Sequence, residues 1–161
     1  MTNKNDFTEE EWAQLVRAPM IAGMAISLAD PGGPIELTKE TLASLRAASS
    51  PPSNEELLTA VSHDISEMTQ HKKNPMGGYK LEKGTQAGIQ ILEELSAVNE
   101  VVSAKATPEE AQAWRGWMVA AAQAAADAAK EGGFMGFGAE QVSQGERDMM
   151  ARVAKAVGAS G

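Results

Sequence analysis

The run Ala18–Ala29, APMIAGMAISLA, carries no charge and ends against Asp30-Pro31-Gly32-Gly33-Pro34. Crossing a bilayer takes roughly 18 or more apolar residues, so this shorter run predicts a buried core helix around which the chain is organised. A second segment, Trp117–Gly133, WMVAAAQAAADAAKEGG, is again apolar and rich in small residues, and it again ends in Gly-Gly. Each is followed by a loop and a capped helix, starting at Thr38 in one case and Ser143 in the other. We read a degenerate internal repeat: two pseudo-symmetric helical hairpins enclosing the middle of the chain.

Ala, Met, Glu and Leu are abundant, while β-branched and aromatic residues are few, a balance that favours helix. No alternating strand pattern of useful length is present, so the expected fold is all-α, a compact bundle of about six helices. The 161 residues suffice for a single domain, 1–161, with a continuous core. The ends, 1–6 and 159–161, are expected to fray, and 71–79 to form a mobile loop.

The absence of cysteine excludes a disulfide framework, a cysteine nucleophile and Cys-based zinc sites. A net charge of −8 argues against nucleic-acid binding, which needs a basic face to release counterions. The one local concentration of positive charge, Lys72, Lys73, Lys80 and Lys83, has Tyr79 as its only aromatic and reads as a solvated loop. No membrane span is expected. The N-terminus lacks the basic-then-apolar order of a signal peptide, which predicts a cytoplasmic protein.

Start signals divide the chain. Thr8-Glu9-Glu10-Glu11 is a capping box flanked by the staple pair Phe7 and Trp12, opening a helix to about Ala29 that Pro19 should kink. Leu37, Thr38 and Leu42 open a helix to about Ala48. Ser53-Asn54-Glu55-Glu56 is a further box, and Leu57, Leu58, Val61, Ile65 and Met68 carry its helix to about Gln70. Leu81–Val102 shows Ile89, Leu92, Leu95, Val98 and Val102 at helical spacing, with Gly84 and Gly88 suggesting close approach to a neighbour. Thr107-Pro108-Glu109-Glu110 opens a helix to about Lys130. Ser143 caps the last helix, which Gly158 ends.

The stretches Ala29-Asp30-Pro31-Gly32 to Leu37-Thr38-Lys39-Glu40, and Ala129-Lys130-Glu131-Gly132 to Val142-Ser143-Gln144-Gly145-Glu146, resemble the two pseudo-symmetric copies of the TerB-like family. These are all-helical tellurite-resistance and stress-associated domains. The resemblance spans about a third of the chain, with Lys130 where the family carries an acid. It implies a cytoplasmic, non-catalytic binding or stress-response module that acts through a protein partner or homo-oligomer, and a divalent cation held by acids at the helix ends.

Three places carry candidate chemistry. Asp30, Glu36, Glu131 and Glu140, with Glu40 and Glu146, flank the two Gly-Gly turns; convergence of the turns would offer hard oxygen ligands to Mg or Ca. Glu40 and Glu146 equally suit their helix N-termini without any ion. His63, Glu67 and His71 recur every four residues and would share one helix face as metal ligands or as weak i, i+4 pairs. Phe134, Met135 and Phe137 stand in a glycine-rich loop, either plugging the core or forming an interaction surface. That loop lacks the Lys-Ser/Thr of a P-loop, and no nucleophile elbow accompanies the serines. The alternative function is a metal-dependent enzyme using the clustered carboxylates.

Overall fold

The computed structural model describes residues 2–29, 46, 50–77, 79, 87–131 and 144–158. Among them the chain is all-α, without strands. A 3-10 turn at Lys4–Asp6 precedes five helices, α1 Glu9–Ala29, α2 Glu56–Gln70, α3 Ala87–Lys105, α4 Pro108–Glu131 and α5 Gln144–Ala156. Of the helix expected over 38–48, Arg46 alone is among the described residues, and it is helical. Both Gly-Gly turns, the 134–137 loop and the tail 159–161 lie outside the described residues.

The two longest helices start on the two Thr-x-x-Glu boxes. Thr8 Oγ1 accepts from the Glu11 N–H at 3.1 Å and Glu11 Oε1 accepts from the Thr8 N–H at 2.8 Å. The same reciprocal pair recurs between Thr107 and Glu110 at 3.2 and 3.4 Å. Each box satisfies helix-end donors that have no partner within the helix. The staple beside the first box is also formed, with the Phe7 and Trp12 rings 5.6 Å apart. α1 runs through Pro19 to Ala29, although the proline has no N–H to donate to the helix ladder.

α1 is the hub of the described fold. It packs against each of the other four helices, most extensively against α4. Its side chains Leu15, Ala18, Ile21, Ala22, Ala25 and Ile26 are wholly buried. α4 buries Ala121, Ala122, Ala125 and Ala126 as completely. Small residues on both buried faces let the helix axes approach closely, while Leu15, Ile21 and Ile26 contribute roughly 1.5–3 kcal/mol each by leaving water. No described helix is long and apolar enough to cross a membrane.

The helix starts are tied to one another across the fold. Lys105, at the end of α3, donates to Glu11 Oε1, and the Thr2 N–H donates to Glu110 Oε1 at 3.1 Å. The glutamate of each box therefore also holds the segment that leads into the other helix. Residues 2–7 are tied to the rest of the fold by this bond, by the Asn3–Asp6 cap of the 3-10 turn and by burial of Phe7.

Two local expectations need correction. α2 begins at Glu56, with Glu55 at the cap position and no side-chain cap. Ser53 instead spends its hydroxyl on the Glu55 N–H two residues on, at 3.2 Å. On α3 the buried stripe is Ile91, Leu95, Val98 and Val102, while Ile89 is 47% exposed. The stretch 71–77 is a hydrogen-bonded turn. Lys73 N–H bonds the Met68 carbonyl at 2.7 Å and Lys72 N–H bonds that of Thr69 at 3.0 Å, a Schellman ending for α2. Asn74 then caps Met76 through its side chain. Gly88 meets the expectation of close approach: a Cβ there would lie 3.3 Å from Met149 Cε.

Candidate functional site

Asp64 projects from the middle of α2 toward the start of α1. Its Oδ2 accepts from Trp12 Nε1 at 2.8 Å and from Lys4 Nζ at 3.0 Å. Trp12 is placed by the staple and the first turn of α1, and Lys4 by the 3-10 turn, so three elements converge on one carboxylate. Burial alone would push the Asp64 carboxyl up; the hydrogen bonds from Trp12 and Lys4 outweigh it and hold the group below the ordinary aspartate range. Asp64 therefore stays ionised near neutral pH.

This Lys4–Asp64–Trp12 bridge separates two grooves. The larger, about 640 Å³, has a floor of Trp12, Val16, Met68 and Met76, with Ala13 on its wall. Its rim carries Lys4, Arg17 and Lys73 together with Glu9, Asp64 and Glu67. The Schellman ending of α2 turns the chain back so that Lys73, Pro75, Met76 and Gly77 close one side. The second groove, about 530 Å³, lies across the bridge and is lined by Asn54, Thr59, Ala60 and His63 among others.

Arg17 braces the far end of the larger groove. Its Nη2 and Nε lie 2.6 and 2.9 Å from Glu94 Oε1 on α3, and its guanidinium stacks 5.1 Å from the Tyr79 ring centre. Both partners of the ion pair are mostly buried, at 19% and 15% side-chain exposure. A pair this well shielded orients Arg17 more firmly than a surface pair would.

On the outer face of α2, His63 Nδ1 stands 3.8 Å from Asp64 Oδ1 and 4.0 Å from Glu67 Oε2. One ligand atom from each of the three residues falls within 4.8 Å of the others. Of the expected trio His63, Glu67 and His71, the structure brings the first two together. His71 caps the end of α2, lines the larger groove and stands outside this group. Asp64 takes its place, a residue that the four-residue spacing passed over. The adjacent His-Asp pair was visible in the sequence, but its orientation depends on Trp12 and Lys4, more than fifty residues away.

Asp30, Glu36, Glu140, Phe134, Met135 and Phe137 lie outside the described residues. Glu131 is the last residue of α4, and its side chain is likewise outside the description. No family model matches this chain, and no significant match exists among curated proteins or solved structures.

Proposed function

We propose that this protein is a non-catalytic binding module whose larger groove receives a short segment of a partner polypeptide, an apolar anchor flanked by charged residues. The observation that carries this is the groove itself. Its volume falls within the range of ligand sites, Met68 and Met76 give it an adaptable wall, and its rim holds both signs of charge. The mixed rim matches a polypeptide with charges on either side of its anchor better than a uniformly charged polymer. The site's charged groups support binding over turnover: Asp64 is held by Trp12 and Lys4, and Arg17 by Glu94, so both stand as fixed charges on the rim.

The TerB-like outline belongs to the same proposal. Two Thr-x-x-Glu helices that pack on each other more than any other described pair, and whose glutamates reciprocally hold each other's lead-in segments, support a duplicated hairpin. Association with a partner, as the resemblance implies, then occurs through the α1–α2 groove.

The test is selection of short random peptides on the whole protein, followed by titration against Ala13→Trp. Ala13 is exposed on α1 at the groove wall, so the larger side chain fills the groove without entering the core. Selected peptides are expected to share an apolar anchor and to bind Ala13→Trp about tenfold or more weakly, with helicity unchanged by circular dichroism. Equal affinity for the blocked variant, or no enriched peptide, would overturn the reading.

A further inference from the structure

We propose that His63, Asp64 and Glu67 form a binding site for a single divalent transition-metal ion on the outer face of α2, with Zn2+ the best match. The site rests on its own geometry and is independent of whether the groove binds a peptide.

Two ligands on a tetrahedral zinc ion, each about 2.1 Å from the metal, lie about 3.4 Å apart. The observed separations from His63 Nδ1, 3.8 Å to Asp64 Oδ1 and 4.0 Å to Glu67 Oε2, are a few tenths of an ångström wider. All three ligand atoms lie within 4.8 Å of one another, and closure to the zinc spacing falls to His63 and Glu67, whose side chains are 75% and 58% exposed. An imidazole with two carboxylates is a zinc-type donor set; magnesium and calcium prefer oxygen alone.

What distinguishes this trio from charges that merely share a helix face is the support behind Asp64. Trp12 Nε1 and Lys4 Nζ both bind Oδ2, which leaves Oδ1 as the oxygen facing His63. Hydrogen bonds to the distal oxygen of a metal carboxylate serve to orient it, and here they come from α1 and the 3-10 turn, outside the donor set. Lys4 stays on the far oxygen and need not be displaced. Three protein donors leave a tetrahedral ion one position for water or an external ligand. Glu67 lines the larger groove and His63 the smaller, so the trio stands at the border of both.

The experiment is titration of the whole protein with Zn2+ by calorimetry and with Co2+ by visible absorption. Wild type is expected to bind about one ion per chain, with Co2+ developing the bands of a low-coordinate site. His63→Ala and Glu67→Gln, both at exposed positions that leave the fold intact, should each weaken binding about tenfold or more. His71→Ala should leave it unchanged. Absence of binding overturns the proposal. So does binding that survives both substitutions, which would place the ion elsewhere, or binding that falls as far in His71→Ala as in His63→Ala.

Discussion

Glu110 is the most constrained acidic residue described: 3% exposed, it accepts from Thr107 within its own capping box and from Thr2 at the other end of the chain. Removing it leaves two backbone donors without their acceptor, and one of them belongs to a buried residue. Glu110→Ala is therefore expected to lower stability by about 2 kcal/mol, read as a shift of the urea midpoint without change in slope. Glu11 has the same role in α1 but stands near solvent, so Glu11→Ala should cost less. The contrast tests whether burial, rather than the box motif, sets the energy.

Among the elements, the end of α2 holds a conformation its sequence does not favour. Lys72 has φ of 57°, in the left-handed region where a Cβ crowds the backbone, yet its N–H completes the Schellman turn. Lys72→Gly relieves that crowding and should stabilise the protein by about 0.5–1 kcal/mol by chemical denaturation. A loss would mean that the Lys72 side chain contributes more than its backbone costs.

The same elements show how far local patterns reach. The starts of α1 and α4 were legible because a capping box closes within four residues and needs nothing from elsewhere. The Ser53 box failed because a hydroxyl two residues upstream found a nearer donor. Ile89 was misplaced because α3 carries apolar residues on two adjacent stripes, and which one is buried depends on where the other helices lie. Asp64 went unnoticed for the same reason: its meaning is set by Trp12 and Lys4. The all-α class, the hub role of α1 and the pairing of His63 with Glu67 were legible; the groove, built by three separate segments, was not.

At the scale of the whole molecule, two carboxylates among the described residues link stability to pH. Glu11 lies below its ordinary 4.5, first through the hydrogen bond from Lys105 and then through the Thr8 N–H. Asp64 lies below its ordinary 3.8, where Trp12 and Lys4 outweigh burial. A carboxyl with a lower pKa folded than unfolded adds stability that is complete above the unfolded value and is lost as pH falls through the folded one. Stability should hold above about pH 4.5 and decline on further acidification. In Asp64→Asn, thermal melting between pH 5 and about pH 2 should decline less steeply than in wild type. Parallel curves would remove Asp64 from the linkage.

The position of Trp12 also makes the protein its own optical probe. Trp114 and Trp117 are wholly buried and stack edge to face with ring centres 5.5 Å apart, remote from solvent events. Trp12 floors the larger groove, borders the smaller one and donates its indole hydrogen to Asp64. Indole emission responds to the charge and polarity around the ring. Occupancy of either groove, or an ion drawing on the Asp64 carboxylate, thus registers on one of three fluorophores while the other two supply a constant background, and no label has to be attached.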